Sequence, residues 1–412
     1  MIEYKKHTLS NGLTVIAHRD SSTPMAAVNV LYKVGARNES PERTGFAHLF
    51  EHLMFGGSVH VPDYDVHVQL AAGENNAFTN NDYTDYYLTL PKENLETALW
   101  LESDRMLQLA FNEKSLEVQR KVVVEEFNQR YLNQPYGDIW LLLRPLVYKV
   151  HPYRWPTIGT TPDHIRNATM EDVKAFYERY YNPDNAILTI AADMEHGQVF
   201  DLAEKWFGEI PRGIAFHDDI PVEPEQKEAR RLEVVRPVPA TVIIIVFHIG
   251  GRTSREFAVC DVVSDLLSNG NSSRMYQHLV KEKGLFSSVN AYLTGDVDPG
   301  LFVVTGHLLN HTSVQEAEDA LWNELELLKT GEISDYELEK MQNKFESGVL
   351  FGEINVMNKA MNLGFYELLG DIDLINREVD IHRSIGKEDV RAEALDLFVP
   401  EKSTTLIYKH EQ

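Results

Sequence analysis

The chain has 412 residues, 43% hydrophobic and 25% charged, and a formal net charge of -24. That length predicts two or three domains with real cores, and that acidity excludes a nucleic-acid partner, because phosphate binding needs a basic face. The lone cysteine, Cys260, excludes an intrachain disulfide, the stretch MIEYKKHTLSNG has no apolar leader pattern, and no apolar run is long enough for a bilayer, so a cytoplasmic protein without membrane contact is expected.

In chain order, HTLSNGLTVIAHRD places a Ser-Asn-Gly turn between two β-rich runs and predicts a hairpin. MAAVNVLYKVGA is a strand. Thr44 to Phe55 is a short apolar helix, and NAFTNNDYTDYYLTLP is two strands about a polar turn. Two helical tracts follow, KENLETALWLESDRMLQLAF and EKSLEVQRKVVVEEFNQRYL. RNATMEDVKAFYERYYNP is a helix with its N-cap at Thr169 and a stop at Pro183, and NAILTIAAD closes the region as a strand. Residues 216–231, rich in proline and charge, are an interdomain linker.

Beyond the linker the pattern starts over. ATVIIIVFHIGG is a buried strand like the one near Val28. An EDV motif begins at Glu171 and again at Glu388, each followed by a helix, a proline (Pro183, Pro400) and a strand, and both pairs are 217 positions apart. A shared offset predicts duplication. The expected fold is α+β, with two homologous domains over residues 1–215 and 232–412, each a mainly antiparallel sheet with helices packed on one face.

The chemistry concentrates in GFAHLFEHLMF. His48 and His52 are four apart and share a helix face, so both imidazoles can converge on one cation. Glu51, on nearly the same stripe, cannot easily ligate with them but is placed to take a proton from a water at such a site. A solvated surface helix is the alternative. The flanking Phe46, Leu49, Phe50, Leu53, Met54 and Phe55 argue against it, because a helix that apolar all round is buried and its polar groups then need partners. Hydrolytic zinc sites use three protein ligands, and VQRKVVVEEFNQR offers Glu125 and Glu126 as candidates for the third.

The order H-x-x-E-H, with these surroundings, resembles the pitrilysin/insulinase/mitochondrial processing peptidase superfamily along nearly the whole chain. ENNAFTNNDYTDYY, HPYRWPTIG and RYYNPDNAIL resemble its recurring stretches. The resemblance implies a zinc-dependent endopeptidase built from duplicated α+β domains, with Zn2+ on His48, His52 and Glu126 and with Glu51 as general base. Glu126 stands 74 positions after His52, in the family's place for the third ligand, and Glu125 is the neighbouring alternative. The resemblance also gives Asn76 and Ala77 the role of holding a peptide as an added strand. It puts Gln119 beside the ligands, where the family often has an acidic residue.

One departure bears on partners. Single-chain and homodimeric relatives carry an Arg, and seven residues later a Tyr, in a stretch that resembles LVKEKGLFS. Here Val280 and Ser287 occupy those positions. A local shift to Lys281 or Tyr292 is the lesser alternative. The resemblance therefore implies the zinc-bearing subunit of a heteromer whose homologous partner supplies Arg and Tyr. A non-catalytic scaffold subunit and a presequence-processing subunit are the rival readings.

Overall fold

The structure, a computed structural model, describes residues 1–214 and 218–411. The start of the predicted linker, Phe216 and His217, lies outside the described residues, as does Ala215; from 218 to 229 the chain forms no helix or strand. The chain forms two compact units, each assembled from separated stretches. The first comprises Met1–Gln129, His151–Pro221 and Leu350–Asn376, and the second Arg130–Val150, Val222–Val349 and Arg377–Gln412. The sequence divides at the linker, whereas the units cross it.

In the first unit β1 (Lys5–Thr8) and β2 (Thr14–Arg19) form the predicted hairpin, with Lys5 opposite Ala17. β2 pairs in parallel with β6 (Ala186–Ala192). β6 then pairs antiparallel with β3 (Met25–Tyr32), β3 with β5 (Thr84–Pro91), and β5 with β4 (Glu74–Thr79), which is a sheet edge.

Alternate residues of a strand face opposite sides. On one side Tyr32 and Tyr86 meet edge to face, and Arg105 of the Leu95–Leu107 helix lies 4.4 Å from the Tyr86 ring centroid. On the other side Ala27 and Ala191 pack on Val356, Met357 and Ala360 of the Val356–Leu368 helix. Gly364 of that helix comes so close to the sheet that an added methyl would sit 2.8 Å from Asn29 Oδ1. An ion pair of 2.7 Å between half-buried Lys359 and buried Asp20 ties the same helix down.

Helices thus cover both faces of this sheet, where the sequence reading placed them on one. β3 and β6 carry apolar residues at consecutive positions, and both are buried almost throughout. A single helical layer would leave one of those faces in water.

In the second unit β7 (Arg230–Arg236) pairs in parallel with β11 (Thr404–His410). β11 is antiparallel to β8 (Val242–His248), β8 to β10 (Leu301–Leu308), and β10 to β9 (Phe286–Leu293). This is the order and direction of β2-β6-β3-β5-β4, strand for strand, as the repeated offset predicts. Each sheet is mixed, with one parallel pair. Ile243, Ile245, Phe247, Phe302 and Val304 face a core shared with helices Arg255–Ser268, Val314–Thr330 and Lys387–Leu397. Val242 and Ile244 point the other way, into a cavity of about 340 Å³ with Ile139, Trp140 and Leu143 of the Ile139–Val147 helix. Each sheet therefore takes its second cover from the opposite side of the linker. Among the described residues no helix is long and apolar enough to cross a membrane.

Candidate metal centre

The Phe46–Leu53 helix begins at Gly45, whose φ of 91° is left-handed, and an added methyl there would lie 2.7 Å from Ile158 O. Both facts require glycine. No local side chain caps the helix. Instead Glu39, buried, reaches in from the preceding loop: Gly45 N–H donates to its Oε2 and Ala47 N–H to its Oε1, each at 2.8 Å. Burial pushes the Glu39 carboxyl up to about 8, while the backbone donors pull it back. The helix N-terminus adds to that pull, and two oxygens that each accept an N–H suit the ionised form. Sequence reasoning missed Glu39, because an acid within ARNESPERTG reads as solvated and its donors lie six and eight residues on.

The helix buries Phe46, Ala47, Leu49, Phe50 and Leu53; Phe50 stacks on Phe176 with centroids 4.9 Å apart. That packing leaves His48, Glu51 and His52 on the half-buried stripe. The two imidazoles lie with centroids 4.9 Å apart at 82°. The Glu113–Phe127 helix, capped by Asn112 accepting from Ser115 N–H, brings Glu126 to them. Its Oε2 is 3.5 Å from Nε2 of His48 and 3.5 Å from Nε2 of His52, and one donor atom from each of the three lies within 4.8 Å of the others.

A tetrahedral cation with bonds of about 2.0–2.1 Å spaces its donors by roughly 3.3–3.4 Å, so this cluster fits one. Two imidazoles and one carboxylate are also the donor chemistry of a hydrolytic zinc site. Glu125 is exposed and accepts from Gln129 Nε2 at 3.1 Å instead. Gln119 is half-buried, seven residues before Glu126 on the same helix.

Burial pushes the Glu51 carboxyl up, with polar contact from Thr79 and the charge of His52 opposing, and the charge of Glu126 adding to the rise. Thr79 ends β4, which also carries Asn76, exposed, and Ala77, half-buried. Ala77 N–H donates to Asn76 Oδ1 at 2.9 Å. In the second unit Val280 packs against the core and Ser287 Oγ–H donates to His307 O at 3.3 Å. Tyr292 lines the cavity beside Trp140, and Lys281 Nζ lies 5.9 Å from the Tyr276 ring centroid.

Residues 14–136, which hold the whole cluster, match a family described as Insulinase (Peptidase family M16), and residues 167–345 match Peptidase M16 inactive domain. The zinc protease PqqE of Helicobacter pylori is 31% identical over 346 residues, which is 82% of this chain and 78% of that protein. The chain belongs to the M16 peptidase family. A second relative, the uncharacterized zinc protease YmxG of Bacillus subtilis, is 25% identical over 98% of both chains. The crystal structure of a protease from Helicobacter pylori matches with a TM-score of 0.93 at 28% identity, covering 99% of this chain and 100% of that one. Among the described residues of this M16 chain, the one three-donor group able to hold a metal falls within the N-terminal match.

Proposed function

We propose that the protein is the catalytic subunit of a zinc-dependent endopeptidase, with His48, His52 and Glu126 holding the metal and Glu51 as general base. The observation that carries this reading is the convergence of those three donors beside a buried carboxylate on the same helix stripe. Zinc, when bound, supplies Lewis acidity that polarises the scissile carbonyl and acidifies water. Glu51 takes the proton of the attacking water and passes it to the leaving amine; its raised proton affinity suits that exchange. Gln119 orients Glu126 from two turns earlier on the same face. Asn76 and Ala77, on the open edge of β4, hold the peptide as an added strand, so recognition reads extended backbone.

Val280 and Ser287 have no group able to serve as the Arg and Tyr of single-chain relatives, so a homologous partner subunit supplies them in this reading. Lacking one oxyanion donor costs about 10²–10³ in rate. The chain alone should bind zinc and cleave a quenched peptide weakly, and adding a partner that carries Arg and Tyr should restore cleavage. Robust cleavage by the chain alone would overturn the partner, and cleavage that survives Glu51→Gln would overturn the base. A scaffold role is the second reading, favoured by the match of residues 167–345 to a domain described as inactive. A metal-free protein that assembles yet never cleaves would establish it.

A further inference from the structure

Resting on the peptidase reading, we propose that the sheet face opposite the metal helix carries a substrate pocket that selects a basic side chain on the leaving-group side of the scissile bond. Thr79 meets Glu51 of the metal helix, so Thr79, Ala77 and Asn75 share that helix's side. Phe78, Asn76 and Glu74 then face the other side, where the Phe78 ring lies 6.3 Å from that of Tyr87.

On that second side, beside the open edge, is a cavity of about 680 Å³. Met25, Tyr87, Val356 and Met357 give it apolar walls, and Asn76 and Glu74 line it along β4. Glu74 is exposed and takes part in no ion pair among the described residues, and none of the residues lining the cavity is Lys or Arg. An apolar wall, neutral polar groups such as Thr23, Thr89 and Asn355, and a single unneutralised carboxylate suit a long aliphatic stem that ends in a cation, which is the shape of arginine or lysine.

An added strand continues the pleat, so a peptide residue opposite Glu74 points its side chain to the face that holds the cavity. Antiparallel addition is the more stable pairing, and it is how β5 meets β4 on the other edge. Since β4 runs from Glu74 to Thr79, an antiparallel peptide reaches Glu74 with its C-terminal side. The bond to be cut lies beside Glu51, at the Thr79 end. The pocket therefore reads a residue roughly three to five positions beyond that bond, on the strand repeat of about 3.3–3.4 Å. The net charge of -24 adds a long-range pull on basic peptides.

The test uses one set of extended peptides in which a single arginine is moved one position at a time through a neutral background. Binding to the zinc-loaded Glu51→Gln protein is read by fluorescence anisotropy. Cleavage by the enzyme assembled with its partner is mapped by mass spectrometry. One position, on the C-terminal side of the cut, should bind about three- to tenfold tighter with arginine than with glutamine. Glu74→Gln should abolish that difference, and Glu74→Lys should reverse it in favour of a glutamate peptide. Cleavage with no positional preference, or a preference that persists in Glu74→Gln, overturns the pocket and leaves the peptidase reading standing. Failure to bind or cleave any peptide overturns both.

Discussion

Five strands of the first sheet and the five of the second share one order, yet the first α-helix after the matching strands β3 and β8 differs in kind. In the first unit it is Phe46–Leu53, eight residues with a half-buried stripe of His48, Glu51 and His52. In the second it is Arg255–Ser268, fourteen residues, of which nine are buried. Cys260 takes a core position there, its Sγ–H donating to Glu393 Oε1 at 3.4 Å; burial, with Glu393 beside it, holds the thiol far above its ordinary range. The scaffold is common to both units, and they differ in whether one short helix leaves a polar stripe uncovered.

The widest gap between the units should appear in metal binding. His48→Ala or Glu126→Ala should drop zinc content to background in a metal assay, while Cys260→Ala leaves it intact. Glu51→Gln should keep the zinc and, on the proposed function, lower peptide cleavage on the order of 10²–10⁴-fold; equal zinc loss in all of these variants would erase the contrast. Next is the cap. Glu39→Gln puts an amide N–H₂ against one of the N–H donors and should cost about 1–3 kcal/mol in a denaturant melt, with weaker zinc retention during dialysis.

Two helix glycines sharpen the comparison of packing. Gly364→Ala in the first unit forces a methyl against Asn29 and should cost about 1–3 kcal/mol. Gly348→Ala in the second unit meets nothing within 4 Å and should stabilise by about 0.5–1 kcal/mol. Melts that move the same way would refute the difference in helix fit.

A further contrast concerns pH, and the two units respond with opposite signs. Burial pushes Asp85 of the first unit up to about 8, with a hydrogen bond from Asn29 opposing. The folded state keeps that proton after the unfolded chain has lost it near 3.8, so stability from Asp85 is full below that value and is lost as pH rises through about 8. In the second unit burial works to raise Glu337, but hydrogen bonds from Arg274 and Ser334 hold it at about 2. Its contribution is full above 4.5 and is lost as pH falls through about 2. Asp85→Asn should flatten the decline in melting temperature as pH rises from 3.8 to about 8, and Glu337→Gln the decline as pH falls from 4.5 to about 2.

Much of this was legible from local pattern. The Ser-Asn-Gly turn predicts β1 and β2, the capping box at Thr169 starts its helix where expected, and the shared offset of Pro183 and Pro400 predicts two equivalent sheets. Spacing alone left the choice between Glu125 and Glu126 open, because adjacent helix residues differ only in direction. The exchanged helices were not legible. Val356–Leu368 is buried against Ala27 and Ala191, more than 160 residues away in sequence, and periodicity says which stripe is apolar without saying what covers it. The parallel pairs β2–β6 and β7–β11 were hidden for the same reason.

The crossing of the linker by Val356–Leu368 has a consequence for synthesis. As the chain leaves the ribosome, all six strands of the first sheet have emerged by Ala192, yet Ala27, Leu31, Ile187 and Ala191 face water until residue 368 follows. The nascent N-terminal half is thus a sticky intermediate for as long as translation of the second half takes.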